Sequence, residues 1–127
     1  MKQIFIFLIL ATLTVGPSMA GELSVEDFQV NTTKDLIDLC SAPPEEPFAS
    51  QAIHFCHGYL VGAYHYYAAS VAGPNGVPLV CPPEPRPSRN DTIARFVQWV
   101  KDRPQYWNEL PVETEFRFLT EIWPCER

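Results

Sequence analysis

FASQAIHFCHGYLVGAYHYYAASV, residues 48–71, is the stretch on which the fold turns. Ile53, Cys56, Leu60, Ala63, Tyr64, Tyr67 and Val71 recur in it at three- and four-residue steps, which makes one continuous apolar face on an α-helix. The spacing predicts the longest helix of the chain, from about Phe48 or Ser50 to Val71. Gly58 and Gly62 sit four apart on it. Each costs about 1 kcal/mol against alanine inside a helix, so close approach of another helix is the expected compensation. That seam lies either within the chain or between two copies of it.

Upstream, Thr32 and Asp35 have the spacing of a capping box, with aspartate in place of the longer glutamate. A short helix should follow to about Cys40, with Leu36, Ile37 and Leu39 as its apolar side, stopped by Pro43-Pro44. Downstream, Gly73-Pro74-Asn75-Gly76 turns the chain. Pro82, Pro83, Pro85 and Pro87 then predict a stiff, extended, polyproline-like stretch between Cys81 and Arg89. A third helix is expected from a cap at Asn90 or Asp91 to about Arg103, with Ile93, Phe96, Val97 and Val100 facing inward. A fourth begins at Pro111, where proline is best tolerated, with Val112, Phe116, Leu119 and Ile122 as its buried stripe. The expected architecture is all-α, a compact bundle of about four helices.

The N-terminus reads as an export leader. Lys2 precedes an apolar run from Ile4 to Val15, shorter than the ~20 residues a spanning helix needs. Gly16-Pro17 follows, and then Ser18-Met19-Ala20, a small-x-small cleavage pattern. Residues 1–20 are therefore expected to be a signal peptide and residues 21–127 a single exported domain. No later segment approaches membrane-spanning length. The net charge of −6 argues against nucleic acid and against an anionic membrane as partners, because both repel an acidic surface.

Cys40, Cys56, Cys81 and Cys125 form an even set in a short exported chain, which reads as two disulfides. Close C-x-x-C pairs, usual for zinc, are absent. Consecutive antiparallel helices would favour Cys40–Cys56 and Cys81–Cys125. The nested pairing, Cys40–Cys125 with Cys56–Cys81, stays open at this level.

Catalytic patterns are missing. His54, His57 and His65 share the long helix, but no third ligand completes a metal site with His54 and His57. There is no H-E-x-x-H, no G-x-S-x-G and no phosphate-binding loop. Cys56 next to His57 is expected to be oxidised, and the carboxylates are scattered without an evident pair. The chain is thus expected to be neither an enzyme nor a cofactor or metal protein. Asn31-Thr32-Thr33 and Asn90-Asp91-Thr92 match the glycosylation triplet, but both coincide with helix starts, where capping explains them.

The series Asp35-Leu36-Ile37-Asp38-Leu39-Cys40, then Cys56-His57-Gly58-Tyr59-Leu60-Val61-Gly62, Cys81-Pro82 and the closing Trp123-Pro124-Cys125 resembles the Rap/Tai family of immunity proteins. The likeness covers about residues 34–125. It implies a helical periplasmic protein, often a homodimer, that binds and blocks a peptidoglycan amidase effector of type VI secretion. The chain departs from the usual pattern in its extra prolines, Pro83, Pro85 and Pro87, and in its tyrosine run, Tyr64, Tyr66 and Tyr67. A disulfide-bonded periplasmic chaperone and a secreted ligand-binding protein share the leader and the size, and form the alternatives.

Two surfaces have the composition of a partner contact. Tyr106, Trp107, Asn108 and Glu109 lie between Pro104 and Pro111, aromatic anchors beside polar groups. The alternative for Tyr106 and Trp107 is to fold back and cap the core. The second surface is the proline run around Glu84, Arg86 and Arg89.

Overall fold

The computed structural model describes residues 22–126, and the leader expected at 1–20 lies outside them. Among the described residues the order is α1 (Thr33–Cys40), α2 (Ala49–Val71), α3 (Arg89–Lys101) and α4 (Pro111–Ile122), with 3-10 turns at Val25–Gln29 and Pro104–Tyr106. The architecture is all-α, and its two disulfides are Cys40–Cys56 and Cys81–Cys125. The first ties the end of α1 to α2. The second ties the end of the chain to the crossing between α2 and α3.

α1 begins where the capping box places it. The Asp35 amide donates to Thr32 Oγ1 at 3.3 Å, and Asp35 Oδ2 accepts from the Thr32 amide at 2.8 Å. Aspartate is therefore long enough to close the reciprocal pair. α3 starts earlier than expected. Its cap is Ser88, which accepts from the Asp91 amide at 3.1 Å, and the Ser88 hydroxyl donates to Asp91 Oδ2 at 2.6 Å. Ser88 caps α3 as Thr32 caps α1, but Asp91 accepts from the Ser88 hydroxyl where Asp35 accepts from the Thr32 amide, and Asn90 and Asp91 already lie inside the helix.

The core joins Leu36 and Ile37 of α1, Cys56 and Leu60 of α2, Ile93, Phe96, Trp99 and Val100 of α3, and Phe118 and Leu119 of α4. Trp99 takes an inward position beside Val100, while Val97, expected there, is only half-buried. α4 departs further from its expected stripe. Its buried side is Pro111, Thr114, Glu115, Phe118 and Leu119, whereas Val112 is 37 % exposed. Two polar side chains occupy the inner face, and they hid the true period from a reading of apolar spacing alone.

Thr114 is satisfied across the core. Its hydroxyl lies 2.8 Å from that of Thr33, the first residue of α1, and both side chains are fully buried. Thr33 also reaches the Glu109 carbonyl, from its amide at 2.8 Å and its hydroxyl at 3.1 Å. The start of α1 thus finds hydrogen-bond partners in the α3–α4 connection and in α4, as a buried helix end requires.

Gly58 and Gly62 are exposed. A β-carbon built on either meets nothing within 4 Å, so among the described residues no helix closes on them. The within-chain version of the seam has no structural counterpart, because α2 turns this face away from α1, α3 and α4.

Two stability outcomes are expected. Thr114→Val should cost about 1–2 kcal/mol, because it leaves the buried Thr33 hydroxyl with one partner fewer. The Thr33→Val/Thr114→Val double variant should cost less than the sum of the singles, as a denaturation double-mutant cycle would show. Replacing both Cys81 and Cys125 by serine opens a closed loop of sequence separation 44. The expected loss is about 4 kcal/mol by chain entropy, read from the same urea curves.

Candidate functional site

The crossing from α2 to α3 is poor in amide protons, since proline has none, and side chains and the chain terminus hold it instead. The Tyr67 hydroxyl of α2 accepts from the Leu79 amide at 2.6 Å and the Val80 amide at 3.0 Å. The Tyr67 ring packs on Phe116 of α4, 4.9 Å between centroids. Val80 bridges Pro124, and the Cys81 amide donates to the Trp123 carbonyl at 2.8 Å. From this clamp the proline run bends at Glu84 and Pro85 and enters α3 at Arg89.

Between this crossing, α2, α3 and α4 lies a cleft of ≈ 310 Å³. Leu60, Val61 and Tyr64 of α2 line it, with Pro82, Pro87, Ile93, Leu119 and Trp123. Its polar members are His65, Arg86, Arg89, Thr92 and Glu115. Arg86 is held only by an exposed pair with Glu84 at 3.4 Å, and Arg89 makes no ion pair among the described residues.

Glu115 is the unusual group. Its side chain is 5 % exposed, and its Oε2 is buried with no hydrogen-bond partner. Burial pushes its pKa up from 4.5 to about 8, because a carboxylate loses its hydration there. Tyr59 on α2 is also raised, by its own burial first and by Glu115 second. Glu115 went unnoticed in the sequence as one of many scattered carboxylates. The available signal was its register: it lies four residues after Pro111 and four before Leu119, in the middle of the buried stripe.

The structure brings Arg86 and Arg89 to this cleft and leaves Glu84 outside it. The other predicted surface lies apart. Tyr106 and Trp107 are half-buried against the core. The Trp107 indole N–H donates to the Val100 carbonyl at 3.1 Å. Tyr106 stacks on Trp99 with centroids 5.4 Å apart and planes 3° from parallel. The Arg103 guanidinium lies 4.3 Å from the Trp99 ring, and that of Arg117 lies 5.4 Å from Tyr106. Glu109 accepts from Arg117 Nε at 2.8 Å, and Asn108 is exposed. The two aromatics therefore cap the core, and Asn108 carries the free polar edge of this connection.

His54, His57 and His65 do not converge, and no group of three metal-ligating side chains occurs among the described residues. None of the described helices is long and apolar enough to cross a membrane.

The family model for Rap1a immunity proteins matches residues 32–125, a span holding all four helices and all four cysteines. The chain belongs to the Rap1a immunity protein family. No curated protein and no solved structure matches it. Within the Rap1a match fall both predicted surfaces, the cleft and Glu115.

Glu115 makes stability depend on pH with a definite sign. Between about pH 4.5 and about pH 8 the folded chain keeps a proton there that the unfolded chain has released. Its contribution is complete below the lower value and is lost as pH rises through the upper one. The slope reaches about 1.4 kcal/mol per pH unit at most. Glu115→Gln should remove this slope. The variant should match the parent in urea midpoint near pH 4 and exceed it near pH 9.

Proposed function

We propose that this chain is a periplasmic immunity protein that binds a peptidoglycan amidase effector of type VI secretion and neutralises it. The family match across residues 32–125 carries this reading. Several physical features support it. Two disulfides suit an oxidising compartment, and the leader expected at 1–20 would deliver the chain there. The helical frame is closed covalently at both Cys40–Cys56 and Cys81–Cys125, so little freedom remains to be lost on docking. The net charge of −6 would speed encounter with a basic effector.

The partner surfaces of this reading are the connection at Tyr106, Trp107, Asn108 and Glu109 and the turn at Glu84, Arg86 and Arg89. A homodimer belongs to it as well. Its seam would be the exposed face of α2 at Gly58 and Gly62, where a second backbone could approach closely.

The test is inhibition of a purified cysteine–histidine amidase encoded beside this chain, with peptidoglycan as substrate. Stoichiometric loss of hydrolysis is expected, and full hydrolysis at excess of this chain would overturn the reading. Asn108→Arg adds a bulky charge at an exposed position. It should weaken inhibition by roughly tenfold or more with an unchanged melting temperature. Trp107→Ala should lower the melting temperature as well, because its indole bonds Val100.

A further inference from the structure

The cleft between α2, the proline crossing, α3 and α4 combines three properties that a mere packing defect lacks. Its ≈ 310 Å³ falls within the roughly 300–1,000 Å³ of small-molecule pockets. Its walls are largely apolar, with Leu60, Leu119 and Trp123 among them. Its polar lining includes two guanidinium groups and one buried carboxyl whose Oε2 has no partner.

We propose that this cleft binds a small apolar carboxylic acid, with its apolar body against Leu60, Leu119 and Trp123 and its carboxylate facing Arg86 and Arg89. Glu115 supplies a hydrogen bond within the same cleft. This site shares Arg86 and Arg89 with the second proposed partner surface and lies apart from the connection at Asn108.

Charge selects the ligand class. The protein as a whole is acidic, at −6, yet the fixed charges lining this cleft at neutral pH are Arg86 and Arg89. Glu115 is mostly uncharged there, since burial holds its pKa at about 8. The other titratable groups facing the cleft are Tyr64 and His65 of α2, and Tyr59 interacts with Glu115 from the same helix. A cationic ligand would meet two guanidiniums. A purely apolar ligand would leave the buried Glu115 carboxyl without a partner. A carboxylate is matched bidentately by guanidinium and accepts a hydrogen bond from a protonated carboxyl. Arg89 also opens α3, whose first turn adds positive potential. The Arg86–Glu84 pair is exposed and long, so exchange of Glu84 for a ligand carboxylate carries little penalty.

The experiment titrates the mature chain with N-acetyl-L-phenylalanine, 4-phenylbutyrate and decanoate, and with the carboxamide of each, at pH 6.5. Calorimetry gives the affinity, and Trp123 fluorescence or amide shifts at Leu60 and Leu119 place the ligand. At least one acid should bind one-to-one, and its amide roughly tenfold or more weaker. Arg86→Glu and Arg89→Glu, both at exposed positions, should each weaken that acid by a similar factor without lowering the melting temperature. Glu115→Gln, which stays neutral and keeps a donor, should retain binding. The proposal is overturned if no acid binds at millimolar concentration, leaving a cleft that holds only water. Equal binding of acid and amide overturns it too, as does wild-type affinity in both arginine variants.

Discussion

The closure of the chain's end onto the proline crossing is the constraint from which the shape of this protein follows. Proline supplies no amide proton, so the segment between α2 and α3 cannot hold itself by a ladder or a helix. It is held from outside, by the Cys81–Cys125 disulfide, the Cys81 amide on the Trp123 carbonyl, and the Tyr67 hydroxyl accepting two amides. Those anchors sit at the start of the crossing. The Ser88 cap fixes its end at α3. What lies between, from Pro82 to Pro87, spans two fixed points as a stiff strap, and the cleft is the space beneath it.

α1 shows a second dependence. A helix of 8 residues is too short to persist by itself in water. It exists because each end is tied: the capping box and the Thr33 bonds at its start, the Cys40–Cys56 disulfide at its end. So tied, it contacts α2, α3 and α4 and contributes Leu36 and Leu39, both without solvent exposure. The buried polar groups around it differ in kind. The Thr33–Thr114 pair is satisfied and specifies how α4 sits on α1. Glu115 is unsatisfied at one oxygen and opposes stability as pH rises.

Membership in the Rap1a immunity family gives these features a setting. An immunity protein benefits from a preformed surface, because ordering costs are then met during folding rather than on binding. The disulfides and the proline strap both act in that direction. The stacked planes of Trp99 and Tyr106, flanked by Arg103 and Arg117, do the same for the α3–α4 connection.

Local chemistry was legible in the residues alone. The 3.6-residue period of α2, the reciprocal cap of Thr32 and Asp35, proline at the first position of α4, and the even cysteine set each act over a few neighbours. The helices, the α1 start and the four-cysteine family pattern could therefore be read directly. Antiparallel packing even favoured the observed pairing over the nested one. What tertiary structure decided is which way each surface faces. α4 hides Thr114 and Glu115 because Thr33 stands opposite one of them, 81 residues away. Gly58 and Gly62 face outward because the three other helices gather on the opposite side of α2. Trp107 turns inward, where its indole N–H shares the Val100 carbonyl at the end of α3 with the Arg103 amide. Arg86, Arg89 and Glu115 share a cleft because contacts between distant residues, the Cys81–Cys125 disulfide and the Tyr67 hydroxyl among them, hold the start of the strap. Periodicity shows that a helix has a buried side. The partners that define that side, and the polar groups they can satisfy, lie far off in the chain.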